Sequence, residues 1–297
     1  MAQATTFTRK AVSEGARSVR EQRRLVWRKA TNGVITVLFF LFAVIAVGVL
    51  VAIIGRMLTQ AIPNILSNPG FFTQSGLDGG IAQDILGTLE LLAMAAVIAV
   101  PLGIAVAIYL SEYKDERLTE PTRFVMDLLA QTPSIIVGLV VYTLFISHRI
   151  LPKSGLVGAI ALAVIMLPFI ARTVEEILHL VPDTLREAGL ALGTPRWRVA
   201  LRVVIPTVLP GIMTGVVLSL ARVAGETAPL IFITYSFNIN FDPMGQMGYI
   251  TGGIYQDAVK GDFATAWSAT LVLMVVIAAI SLTIRYLTSR GRGTNNA

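Results

Sequence analysis

Cysteine is absent from all 297 residues, which excludes disulfides, thiolate metal sites and thiol nucleophiles. Histidine is nearly absent. His148 and His179 stand outside any H-E-x-x-H spacing, beside apolar runs, where they suit an interface better than a catalytic centre. None of the lysines (Lys10, Lys29, Lys114, Lys153, Lys260) follows a glycine, so the chain has no G-x-x-x-x-G-K-[ST] loop to cradle ATP phosphates. G-x-S-x-G is missing too, and with it the nucleophile elbow. Charge is scarce: 14% of residues are Asp, Glu, Lys or Arg, where a soluble domain carries about a quarter. These absences describe a chain that performs no chemistry of its own.

What replaces charge is hydrocarbon. Apolar residues make up 55% of the chain and mean hydropathy is +0.72. A bilayer core takes about 20 apolar residues per helix. Six runs qualify: Val34–Leu58, Thr88–Leu110, Pro133–Ile150, Gly155–Ile170, Thr207–Ile233 and Trp267–Leu287. The third and fourth are short and carry Pro133 and Pro168. The sequence therefore predicts an all-α polytopic membrane protein with six transmembrane helices.

Positive charge sets the orientation. Nineteen of the 24 Lys and Arg residues fall on one side: eight before the first span, then Lys114, Arg117 and Arg123, then Arg172, Arg186, Arg196, Arg198 and Arg202, and Arg285, Arg290 and Arg292 in the tail. Six spans with both termini cytoplasmic segregate charge this way. The same rule explains the pI near 9.8 without nucleic acid, for which no aromatic-basic interleaving or zinc spacing exists. Residues 1–33 form a basic cytoplasmic arm facing solvent or lipid headgroups. They lack a small-residue cleavage site, so span one is retained. The transmembrane body covers residues 34–287, and 288–297 form a cytoplasmic tail.

Between spans four and five lies a polar stretch, 183–206. Thr184-Leu185-Arg186-Glu187 fits a capping box with Thr184 as N-cap and Glu187 reaching back to its amide. Gly193 supplies a left-handed stop. Thr194-Pro195 opens a second helix with proline at its first position, and Pro206 closes it. Two short helices thus meet at a glycine knuckle.

Deeper in the chain, Arg222 and Glu226 stand four apart in span five, on one predicted helix face. A lone charge at that depth costs roughly 2.5–3.5 kcal/mol and is rarely kept without a role. Arg222 can line a pathway and offer a counter-charge to an anion, with Glu226 tempering the attraction so that the anion leaves again. The pair can equally serve packing alone. Arg172, after Pro168, is either a second anion contact or a boundary residue snorkelling to headgroups.

Glu187, Ala188, Gly193 and Pro206 match in register the EAA loop of permease subunits of bacterial ATP-binding-cassette importers, with Gly189 in place of the second alanine. Ala221-Arg222-Val223-Ala224-Gly225-Glu226-Thr227-Ala228-Pro229, Thr173-Val174-Glu175-Glu176, Pro133-Ser134-Ile135-Ile136-Val137-Gly138 and Gly79-Gly80-Ile81 with Gly87-Thr88 resemble the phosphate-importer permeases, nearer the A-type (PstA-like) than the C-type subunit. The resemblance covers roughly residues 75–290. It implies the type I importer permease fold, a non-catalytic subunit, and a bacterial plasma membrane. It also implies a C-type sister permease, two ATPase subunits that bind ATP and Mg, and an extracellular phosphate-binding protein. Thr184, Glu187, Ala188, Gly193 and Pro206 would meet the ATPase; Arg222, Glu226 and Arg172 would line the substrate pathway.

Arginine's forked, permanent charge suits an oxyanion. Hydrogen phosphate also carries a proton that Glu226 can accept in a hydrogen bond, which sulfate lacks. The outer segments Thr59–Gly87 and Tyr235–Ala266 are either docking faces for the binding protein or plain connectors. Two other functions fit less well. A sulfate or molybdate permease would keep the loop but not the residues around Arg222. An ion-coupled secondary transporter could use the charged pair as a proton relay, but would leave the loop unused and require inverted repeats.

Overall fold

The computed structural model describes residues 2–113 and 116–290. Lys114, the tail from 291 onward with Arg292, the side chains of the basic arm up to residue 26, and those of Arg285 and Arg290 lie outside this description. Among the described residues every regular element is a helix: α1 (Ala2–Ser67), α2 (Ala82–Glu112), α3 (Glu116–Gln131), α4 (Ser134–Val141), α5 (Gly155–His179), α6 (Asp183–Ala191), α7 (Arg196–Val199), α8 (Ile205–Ala224), α9 (Ile250–Lys260) and α10 (Phe263–Arg290).

The chain divides into two units, residues 1–58 and 59–297. In the first, α1 exposes its apolar residues, with Phe39 and Phe40 70% and 71% exposed. Such a surface belongs in lipid. In the second, the last turns of α1 are held by α10: Asn64 Nδ2 donates to Ser268 Oγ (3.0 Å), and Ser268 Oγ donates to the Ala61 carbonyl (3.4 Å).

Among the described residues five helices are long and apolar enough to cross a bilayer: Trp27–Ser67, Ala82–Glu112, Gly155–His179, Arg196–Ala224 and Phe263–Thr283. The third expected span is different. Residues 117–131 and 134–147 are apolar together but bend by 104°. Pro133 stops the first piece because its predecessor cannot stay helical and its nitrogen has no hydrogen to donate. The 14 residues after it reach only about 21 Å, short of a bilayer core. Counted as one broken span, the pair brings the total to six.

The fifth span is also corrected. Its helix begins at Arg196 and ends at Ala224, nine residues before Ile233. It runs straight through Pro206, which therefore does not close a helix. A wide π-turn over Ala200–Val204 precedes the proline, and the Ile205 amide reaches back to the Ala200 carbonyl. That widened turn takes the helix past Pro206, whose ring would otherwise crowd an α-helical carbonyl one turn back.

The centre is α2 against α5, with α8 behind. A Cβ on Gly103 would sit 2.7 Å from Ile170, and one on Gly158 3.3 Å from Leu91. Both contacts share one offset, so α2 and α5 run parallel in constant register. Gly215 opposes Thr173 and Gly211 opposes Ile177, so α8 runs antiparallel to α5. Buried Leu91, Ala95, Ala99, Leu162, Met166, Ile170 and Ile212 fill the layer.

Residues 225–249, between α8 and α9, form no regular helix, yet they lie against the first turns of α2 and α5. Unpaired backbone would be costly there. The Gly155 and Leu156 amides donate to the Gly245 and Pro243 carbonyls (2.8 Å each). The Ile250 amide donates to Thr88 Oγ1 (2.9 Å), and Thr234 Oγ1 accepts from the Met247 amide (2.8 Å). Gly87 lets the Gly248 carbonyl approach, since a Cβ there would meet it at 2.1 Å.

Gly87→Ala should therefore destabilise the fold by about 1–3 kcal/mol through overpacking. Gly225→Ala, whose new methyl would meet nothing nearer than 3.6 Å, should be near neutral. Thermal unfolding of both variants in detergent checks the contrast; equal midpoints would refute the close approach.

Candidate functional site

The polar stretch after α5 folds as one short helix, α6, and the first turns of the long helix that α7 opens at Arg196, meeting at a glycine knuckle; the expected second short helix is the start of the fifth span. Gly193 has φ +76°, a left-handed residue just past α6, and its surroundings are open. The caps differ from expectation. Pro182 occupies the N-cap position of α6 with no side-chain cap bond, so Thr184 lies inside the first turn. Pro182, with φ −59° and ψ 139°, starts the helix two residues early, and Asp183 provides the negative charge favoured there. Thr184, Glu187 and Ala188 are exposed. Pro195 likewise caps α7 from outside instead of occupying its first turn. Gly189 brings α6 onto α7: a Cβ there would press on Val199 at 3.0 Å.

Around the knuckle the surface is apolar. Leu192 is 85% exposed and Trp197, stacked under Arg198, is 52% exposed. Neither was singled out by the motif, although a large apolar residue between polar neighbours in a loop is a visible signal.

Arg186 is the residue that composition disguised as surface charge. Its Nε donates to Glu112 Oε1 (3.0 Å) at the end of α2. Nη1 donates to the Val181 carbonyl (2.6 Å) and to Asp183 Oδ1 (3.0 Å), and Nη2 to the Leu178 carbonyl (2.7 Å). A guanidinium here satisfies carbonyls that α5 leaves open at its end and complements the helix dipole. Charge-assisted bonds of this kind contribute about 1.5–3 kcal/mol each.

Arg222 lies in the last turn of α8, with its guanidinium 3.9 Å from the centroid of the Phe169 ring and the rest of the side chain exposed. Register with α5 places it level with the middle of that helix, so it is deep in the helical layer. Glu226 is not on its helix face. The helix stops at Gly225, and Glu226 sits in the irregular segment, its carbonyl bonded by Thr251 Oγ1 (3.1 Å). Pro229 fixes the turn: it cannot continue a helix, and its backbone packs on Gly138 of α4, where a Cβ would lie 2.5 Å from it.

Arg172 is apart from these two, paired with Asp127 of α3 and half exposed. Beside it Arg123 bonds Glu175 (2.5 Å), so two ion pairs tie α3 to α5. Asp84, unremarked in the sequence, is buried in the first turn of α2. Gly248 and Gly253 leave its carboxylate the room that a Cβ at either would occupy. Tyr235 and Tyr249 stand nearby, edge to face at 5.7 Å. Burial, reinforced by Asp84, pushes both phenols above their ordinary range, so both stay neutral donors. Among the described residues no cluster of three His, Asp or Glu could hold a metal ion.

A model of the family described as binding-protein-dependent transport system inner membrane component matches residues 99–293. The chain belongs to this family. It is 39% identical over 280 residues to the phosphate transport system permease protein PstA 1 of Mycobacterium tuberculosis, covering 89% of this chain and 92% of that one. It is 38% identical over 259 residues to PstA of Pasteurella multocida, covering 84% and 92%. Two solved structures share the fold. The permease of a bacterial alginate importer superposes with TM-score 0.63 at 14% identity, over 86% of this chain and 94% of the other. That of the MetNI methionine transporter gives 0.57 at 20%, over 72% and 95%.

Gly193→Val should cost roughly 1–2 kcal/mol, because a β-branched residue resists positive φ, while Gly193→Asn should cost less. Unfolding midpoints in detergent measure the difference; a valine variant as stable as the parent would refute the strained turn.

Proposed function

We propose that this inner membrane component is the A-type permease subunit of an ATP-driven phosphate importer. The observation that carries the substrate is the 39% identity to PstA over nearly the whole length of both chains, with the arginine-bearing motif intact around Arg222. The geometry supports a role for that motif. A permanent charge stands level with the middle of α5, on an exposed face of α8, beside the break in the helix that carries Glu226. A forked guanidinium recognises an oxyanion well, and a single cation over an aromatic face holds it without trapping it.

The end bearing α6 then lies in the cytoplasm, with both termini, as the placement of Lys and Arg requires. The exposed knuckle of Gly193, Leu192 and Trp197, flanked by Glu187 and Ala188, docks on an ATPase subunit that binds ATP and Mg in its own phosphate loop. The exposed face with Arg222 meets a sister C-type permease, and a pair of ATPases serves the two. The opposite end, with 59–81 and 225–262, receives an extracellular phosphate-binding protein. Arg172, engaged by Asp127, enters the pathway only if α3 moves from α5. Closure of the ATPases would drive alternating access between two discrete arrangements.

Uptake of labelled phosphate at low external concentration, in cells lacking this chain and complemented with variants, tests the proposal. Arg222→Ala should reduce uptake tenfold or more, the equivalent of losing one charge-assisted bond of about 1.4 kcal/mol or more, while the complex still assembles and sulfate fails to compete. Glu226→Gln should alter flux without affecting assembly. Full uptake in cells without this chain and without a second importer would overturn the substrate.

A further inference from the structure

Arg186 is fixed at both ends of a joint, and its role there rests on the ATP-driven permease function proposed above. It sits on α6, the helix next to the knuckle, and three of its four bonds leave that helix, to Glu112 of α2, to Leu178 of α5 and to Val181 in the turn between α5 and α6; the fourth stays within α6, to Asp183. The Arg186 and Glu112 side chains are only 16% and 10% exposed, so the pair is shielded from solvent competition. The α6 segment has few other ties to α2, since it is nine residues long and buries no side chain fully.

The other end of α2 is tied just as firmly. That helix has 31 residues, about 46 Å, and stays continuous through Pro101. Its first turns hold the irregular segment through the Thr88 bond to the Ile250 amide, the contact of Gly87 with the Gly248 carbonyl, and the seat of Asp84 against Gly248 and Gly253. Along its length it is locked in register to α5 by the glycine contacts at Gly103 and Gly158.

We infer that Arg186 is the positioning residue that joins the knuckle to the α2–α5 pair, so that displacement of α6 moves α2 as a lever and carries the segment from 225 to 262 with it. Glu112 is its partner in this role. Rigid elements connected by short polar clamps transmit a two-state displacement, whereas a compliant joint would dissipate it. The ion pairs of Arg123 with Glu175 and Arg172 with Asp127 lie on the other side of α5 and tie it to α3, so they do not substitute for the clamp.

The absence of cysteine provides the test. In the assembled importer, Met244→Cys places a unique thiol of this chain on the far segment, at a side chain 42% exposed. Its labelling rate with a maleimide is compared between the nucleotide-free complex and the complex trapped with ATP and vanadate. With Arg186 and Glu112 intact, trapping should change the rate several-fold. In Glu112→Gln and in Arg186→Ala the change should fall below twofold, while the nucleotide-free rate, co-purification of the ATPase and its hydrolysis rate stay within twofold of the parent. A purely structural role would lower assembly or basal labelling instead, and Glu112→Gln, which leaves the three other Arg186 bonds in place, covers the case in which Arg186→Ala does not assemble. An undiminished response to trapping in Glu112→Gln overturns the lever. No response even in the parent overturns the ATP-driven function itself.

Discussion

Backbone that leaves the helix between packed helices needs partners inside the protein, and several main-chain groups of residues 225–249 find them at the first turns of α5 and α9. This requirement organises most of the chain. It explains the polar side chains at the break: Thr88, Thr234 and Thr251 bond main-chain groups there, and Ser236, Asn240 and Asp242 do so within the segment. It explains why glycines are placed where carbonyls and proline backbone press in, at Gly87 against Gly248 and at Gly138 against Pro229. Helix ends face the same demand. The start of α5 takes carbonyls from Pro243 and Gly245, and its finish takes a guanidinium from Arg186.

The separate sequence motifs are accordingly two halves of the same contacts. The Pro133–Gly138 motif meets the Glu-Thr-Ala-Pro segment through Gly138 and Pro229. The Gly87-Thr88 pair meets Gly248 and Ile250. Thr173, at the head of Thr-Val-Glu-Glu, lies over Gly215 of α8, where a Cβ would stand 2.6 Å from it. A substitution in one member therefore strains a partner far away in the chain.

The sequence was informative where one local rule acts alone. Apolar length marks the spans, and the left-handed glycine at 193 belongs to a helix that ends before a polar turn. It misled where two rules compete. Thr184 has the chemistry of a cap, but Pro182 has the backbone for it and lies earlier in the chain. Pro206 reads as a terminator until the π-turn ahead of it is known, and nothing in Ala200–Val204 announces a wider helix. Periodicity placed Glu226 on the face of Arg222 because Gly225 alone is a weak stop; the packing of Pro229 on Gly138 makes it a firm one. Arg186 and Asp84 were invisible for a different reason. Each has a decisive partner far off in the chain, Glu112 for Arg186, 74 residues away, and Gly248 and Gly253 for Asp84, and a single chain read in order gives no sign of who those partners are.

The energetics of Arg222 bear on what the chain is for. Insertion of an arginine at mid-membrane costs roughly 2.5–3.5 kcal/mol. The Phe169 ring returns about 0.5–2 kcal/mol at best, and no carboxylate shares the helix face. The remainder cannot be met by lipid, whose tails offer neither charge nor hydrogen bonds. It has to be met by water in a pathway, by a second membrane chain, or by an anion in passage. Each of these places the exposed side of Arg222 against something other than hydrocarbon. Among the described residues the Phe169 ring is the contact that this guanidinium makes, and it offsets only part of the insertion cost. An isolated helical bundle selected only for stability would gain by replacing Arg222 with leucine.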